Sequence, residues 1–282
     1  MLSEKIHCDD GAILTGNLFH ADECLGAVLI GSATGIKQQF YQPFARFLAE
    51  NGFTALTFDY RGIGDSLSQP VSDSRATLIS WGESDMTAAL HHLKARTDDK
   101  PLFLLGHSAG GQLAGLMRNA QQLTAMFNVG SSSGSLRNMR LLYQLKAHFF
   151  MNCFIPLSNW LFGHTKSQWL GMGEPLPAGV GRQWRQWCNG QGYVKTSFGK
   201  DVQNHQYDAL KIPAKWVVAT DDDIACEKNV KEMMSVYTNA DHSLEILNPS
   251  LWQLKQIGHM KFFSRQSSAL WHLPLTFFRQ YL

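Results

Sequence analysis

The chain has 282 residues, a length that suits one large α/β domain or two small ones. Apolar residues make up 44% and charged residues 17%, which excludes a disordered chain. The formal net charge is +2 and the 25 Lys and Arg are scattered, so the basic blocks of a nucleic-acid surface are missing.

The opening stretch, MLSEKIHCDDG, mixes charges with no apolar run and predicts neither a secretory nor a lipidation signal. Residues 6–8 and 12–19 read as an antiparallel hairpin, because Asp10-Gly11 between them supplies the positive φ of a tight turn. Further strands are expected at 27–30, 55–58, 102–105, 125–129, 216–219 and 244–247. Helical patterns lie between most of them: 40–50, with Phe44, Phe47 and Leu48 on one stripe, and 84–93, with Met86, Leu90 and Leu93. That alternation predicts a mostly parallel twisted sheet with helices on both faces.

Residues 135–205 break the rhythm. They hold Trp160, Trp169, Trp184 and Trp187, many glycines and no strand pattern. A long insertion of this kind is uncommon unless it is functional, so a cap or lid is expected there, between core segments 1–134 and 206–282. Trp160, Trp184 and Trp187 are the candidates for its apolar substrate-facing wall. Residues 149–162 form the most apolar run, but Asn152, Pro156, Ser158 and Asn159 interrupt it and it is too short to span a bilayer. It reads as buried or groove-lining.

Gly106-His107-Ser108-Ala109-Gly110 has the form G-x-S-x-G, after an apolar strand and before the helix-competent run 111–117. The small flanking residues allow a sharp strand-to-helix turn that presents Ser108 at the strand's end. A serine hydroxyl is a weak nucleophile unless a histidine takes its proton and a carboxylate orients that histidine. Downstream, strand 216–219 runs into Asp221-Asp222-Asp223, and Gly258-His259 follows the last strand, so the order is Ser, acid, His. Asp222 is the favoured acid, with Asp223 and then Asp221 behind it; the other two are expected in a solvated turn that caps a helix over 227–234. Negative charge developing on an acyl oxygen needs two N–H donors. Ala109 supplies one, and Ala33 in the loop Gly31-Ser32-Ala33-Thr34-Gly35 is the choice for the other.

Asp59-Tyr60-Arg61-Gly62-Ile63-Gly64-Asp65-Ser66 resembles the D-x-R-G-x-G-x-S segment of the α/β-hydrolase superfamily. Ser32-Ala33-Thr34-Gly35 with Phe40-Tyr41, and Leu176-Pro177 leading to Arg182-Gln183-Trp184 and Trp187-Cys188, resemble more narrowly a group of bacterial serine-aminopeptidase-like members. The chain carries Gly31-Ser32 where many superfamily members have His-Gly. The resemblance implies an α/β-hydrolase fold with an inserted cap. It also implies a serine hydrolase that cleaves an ester, thioester or small amide; the alternative is a non-catalytic ligand-binding or scaffold protein of the same fold.

Cys8, Cys24, Cys153, Cys188 and Cys226 are odd in number and lack both C-x-x-C pairs and metal-ligand spacing. Reduced thiols, a cytoplasmic address, no metal and no organic cofactor are expected. The expected partner is a small acyl substrate, with no integral membrane segment.

Overall fold

A computed structural model describes residues 1–282. The first six strands are β1 (Leu2–His7), β2 (Ile13–Phe19), β3 (Gly26–Gly31), β4 (Phe53–Phe58), β5 (Leu102–His107) and β6 (Ala125–Val129). A two-residue pair follows, β7 (His164–Thr165) and β8 (Leu176–Pro177), and then β9 (Pro213–Ala219) and β10 (Asp241–Leu247). Eight of them form one sheet in the order β1-β2-β4-β3-β5-β6-β9-β10. The β1–β2 and β2–β4 pairings are antiparallel and the rest parallel. This is the α/β-hydrolase arrangement expected from the sequence. The predicted hairpin is present, turning through Gly11 at φ +84°.

The central strands β3, β4 and β5 are buried at every residue, as strands covered on both faces must be. Successive side chains point to opposite faces. Leu29 of β3 therefore joins a core with Leu56, Leu104 and Trp81, while Val28 and Ile30 join one with Phe44, Leu105 and Phe278.

The helices are α1 (Gln42–Glu50), the single turn α2 (Leu78–Ser80), α3 (Thr87–Lys94), α4 (Ala109–Gln112), α5 (Leu141–Phe149), α6 (Ile155–Phe162), α7 (Ala178–Asn189), α8 (Glu227–Met234) and α9 (His272–Arg279). Phe44 and Leu48 of α1 and Leu275 and Phe278 of α9 pack on one face of the sheet. Leu90 and Leu93 of α3 and Val230 and Met233 of α8 pack on the other. The helical run expected at 84–93 begins earlier, because Thr77 and Ser80 close a reciprocal capping box; the run then widens into a π segment, Trp81–Met86, before α3.

The helix expected over 111–117 is shorter than its sequence suggests. Tyr237 Oη donates to the Gly111 carbonyl at 2.6 Å and Tyr207 Oη to the Gln112 carbonyl at 2.7 Å. Those acceptors would otherwise serve the next helical turn, so α4 stops at Gln112 and a 3-10 turn, Ala114–Leu116, follows.

Between β6 and β9 the chain forms α5, α6 and α7 with the small β7–β8 pair. The run 149–162 is only half inside: Phe150, Met151 and Ile155 are buried, whereas Leu157, Trp160 and Leu161 are exposed. The expectation of a buried or groove-lining run therefore holds for its start, where Phe149, Phe150 and Met151 line a cavity, and is corrected for 157–162. Its apolar residues lie on both sides of the helix, and only one side finds a packing partner. No helix is long and apolar enough to cross a membrane.

Candidate active site

Ser108 stands where β5 gives way to α4, with φ +49° and ψ −108°. Side chains other than glycine's rarely adopt positive φ, and such strain persists only where the surroundings impose it. Here the Ser108 N–H is tied to the Val129 carbonyl at 2.9 Å. A Cβ on Gly110 would overlap the Gly31 carbonyl, so only glycine lets the turn seat against β3. The Ser108 hydroxyl makes no capping bond to α4 and lines a cavity of about 720 Å³ that His259 also lines.

His259 Nδ1 lies 2.8 Å from Asp222 Oδ2. The second carboxylate oxygen, Oδ1, accepts the Ile224 and Ala225 N–H groups, each at 2.8 Å. Burial alone would push the Asp222 carboxyl up, but the His259 charge, its hydrogen bond and these two donors hold it below the ordinary aspartate value. Burial would likewise lower His259, yet the Asp222 charge and hydrogen bond raise it above the ordinary histidine value. A carboxylate on Nδ1 fixes the tautomer and leaves Nε2 free to accept a proton.

The neighbouring aspartates do different work. Asp221 accepts the Ile257 and Gly258 N–H groups at 3.1 and 2.9 Å and so holds the loop that carries His259. It is not the solvated turn residue expected, because the end of β9 lies beside that loop. Asp223 faces Arg140 at 3.7 Å on the surface. Neither caps α8, whose N-cap is Cys226.

The Ala33 N–H, expected to face an acyl oxygen, donates instead to Tyr41 Oη at 2.9 Å. Tyr41 Oη is also 2.7 Å from His107 Nδ1, and His107 Nε2 is 2.8 Å from the His259 carbonyl. A carbonyl only accepts, so His107 carries its proton on Nε2 and receives the tyrosine hydroxyl proton's hydrogen bond at Nδ1. Burial, and then the nearby His259, push His107 down to about 3, which keeps it neutral. Thr34 lines the cavity next to Ala33, and its N–H has no intramolecular acceptor. The Ala109 N–H, first of its helix, has no intrahelical partner either. Tyr41, His107 and Thr34 stand in motifs legible in the sequence but without a role assigned to them there; the signals were the histidine beside Ser108 and the tyrosine seven residues after Thr34.

Of the three tryptophans expected on a substrate-facing wall, only Trp184 lines the cavity. Trp187 is fully buried and donates from Nε1 to Ser197 Oγ at 2.8 Å, so it is core. Trp160 is 80% exposed and does not line the cavity. The rest of the wall is mostly aliphatic and aromatic, including Met139, Phe150 and Met172, and its only charged side chain other than His259 is Lys146.

The segment 59–66 is a staple. The buried Asp59 carboxylate accepts the Gln38 N–H at 2.8 Å and the Asp65 N–H at 2.9 Å, while Ser66 Oγ accepts the Thr15 N–H at 2.8 Å. It ties β4 to β2 and to the stretch leading into α1.

The family model described as serine aminopeptidase, S33, matches residues 22–170, a little over half of the chain. The chain belongs to this family of α/β-hydrolases. Over 73 residues it is 38% identical to lysophosphatidylserine lipase ABHD12 of Xenopus tropicalis, covering 24% of this chain and 16% of that protein's length. Among solved structures, a soluble variant of monoglyceride lipase from Saccharomyces cerevisiae in complex with a substrate analog is 16% identical with a TM-score of 0.69, over 100% of this chain and 96% of that one. An esterase from Thermogutta terrifontis is 14% identical with a TM-score of 0.60, over 100% of both chains. At such identities the two structures speak for the fold.

Proposed function

We propose that this hydrolase cleaves carboxylic esters with an apolar acyl or alcohol portion through an acyl-enzyme on Ser108. The observation that carries the reading is the buried Asp222–His259 pair on the same cavity as a serine held at positive φ. His259 Nε2 takes the Ser108 proton as Oγ attacks the carbonyl carbon. The oxyanion receives the N–H groups of Ala109 and of Thr34, since that of Ala33 serves Tyr41. His259 then gives its proton to the leaving alcohol; water, deprotonated by the same ring, attacks the acyl carbon, and the acid leaves as His259 returns that proton to Ser108 Oγ. Asp222 stabilises the imidazolium in both halves.

An ester suits the cavity better than the amino terminus of a peptide. An aminopeptidase must hold a substrate ammonium, yet no carboxylate lines the wall and its lone Lys146 would repel one. Residues 135–205 serve as the cap, supplying Trp184, Phe150 and Met172 to the wall. The five free thiols support a reducing, cytoplasmic setting. The test is a panel of chromogenic esters of rising acyl length on wild type and Ser108→Ala. Turnover that vanishes in the variant supports the reading, and near-normal turnover in folded Ser108→Ala protein contradicts it.

A further inference from the structure

Ten of the 18 large apolar side chains that lie exposed in this chain fall between residues 141 and 170. On α5, Leu141, Leu145 and Phe149 recur every fourth residue and form one outward stripe; on α6, Leu157, Trp160 and Leu161 form another. Monomeric proteins in water rarely expose large apolar patches unless something covers them.

Charge says what that cover is. Residues 135–205 hold eight Lys and Arg against Glu174 and Asp201, an excess of six positive charges in a chain whose total is +2, so the rest of the molecule is net negative. Between 141 and 170 there is no acidic residue at all. Lys166 Nζ sits 4.3 Å from the ring centre of Phe162 and 4.7 Å from that of Trp169, which sets an ammonium among exposed aromatic rings. Tryptophan, phenylalanine and leucine with lysine at their edge is the composition of a surface that lies in a lipid headgroup layer. A second copy related by a two-fold axis would set a face that carries Lys146 and Lys166 and no acidic residue between 141 and 170 against itself. Leu145, Lys146, Phe149 and Leu170 are exposed here and also line the cavity with Ser108 and His259, so the cavity mouth opens on the same surface.

We propose that this face of the cap docks the protein on an anionic lipid surface, without spanning it, and that the cavity mouth opens toward the lipid. Docking rests on the face and not on the chemistry at Ser108, so binding can be read without turnover.

The test is sedimentation of the full chain with vesicles of phosphatidylcholine alone and of phosphatidylcholine with about one third phosphatidylserine. The anionic vesicles are expected to bind about tenfold more strongly, and the advantage is expected to shrink as salt rises. The double variant Leu157→Ser, Trp160→Ser is expected to lose about tenfold or more of that binding while hydrolysing a short water-soluble ester at the wild-type rate, since neither side chain lines the cavity. Lys166→Gln is expected to lose part of the preference for phosphatidylserine alone. Equal binding of wild type and double variant, or binding indifferent to phosphatidylserine, overturns the proposal. So does a wild-type dimer in analytical ultracentrifugation that the double variant dissolves while neither protein binds vesicles, which would make the face a contact between copies.

Discussion

The Tyr41 hydroxyl lies 2.7 Å from His107 Nδ1 and takes the Ala33 N–H at 2.9 Å, so one phenol joins the loop after β3 to the strand that ends at Ser108. All three residues are buried. Tyr41→Phe would leave a buried N–H and a buried ring nitrogen unpaired, and is expected to cost about 1–3 kcal/mol of stability. Because the Thr34 N–H follows Ala33 directly, the same change is expected to lower kcat more than it raises KM. Urea unfolding and steady-state kinetics on one ester check both; an unchanged kcat in a destabilised protein would leave the phenol a purely structural part.

Among the three adjacent aspartates, Asp222→Asn is expected to lower kcat by about four orders of magnitude, because the amide would hold the wrong histidine tautomer. Asp221→Asn loosens the two N–H bonds behind His259 and is expected to be intermediate, and Asp223→Asn on the surface close to neutral. Kinetics of the three variants on one ester give the ranking. Asp223→Asn as the most damaging change would contradict the geometry.

The pH profile follows from the same pair. His259 must be neutral to act as base, and Asp222 raises its pKa, so the acid limb of kcat/KM is expected above the ordinary histidine value. Removing the Asp222 charge leaves burial as the main influence on the ring. The limb in Asp222→Asn should therefore shift to lower pH even as the rate falls. His107, pushed down to about 3, stays neutral throughout and adds no second limb near neutrality.

Trp184 and Trp187 separate specificity from stability. Trp184→Ala is expected to change relative kcat/KM along an acyl-length series by about 1–3 kcal/mol, as one lost wall contact does. Trp187→Ala should instead cost about 3–5 kcal/mol of folding stability and scale all substrates together. A flat length profile in folded Trp184→Ala protein would remove that indole from the wall.

What was legible in the sequence is what local pattern determines. Asp10-Gly11 between two alternating runs encodes the hairpin, and the apolar runs encode the buried strands. G-x-S-x-G encodes a turn because the glycines alone admit the approach of Gly110 to β3. His259 and Asp222 follow from chain order, since each sits in the loop after its strand. That the Ala33 N–H is already taken was not legible, because its acceptor is a side chain from the start of α1 and no spacing rule links the two. The tryptophans were misread for a related reason. Within 135–205 no sheet supplies a reference face, so periodicity cannot tell the inward Trp184 from the buried Trp187 or the outward Trp160. Likewise the short α4 depends on tyrosines about 95 and 126 residues downstream.

The most direct measurement of the central claim is covalent labelling by a fluorophosphonate, with the modified peptide identified by mass spectrometry. The account predicts one label per chain on Ser108, none on Ser108→Ala, and labelling of His259→Ala slowed by orders of magnitude, because the probe reports a serine activated by its base. A folded wild-type protein that takes no label, or Ser108→Ala protein labelled as fast as wild type, would contradict it.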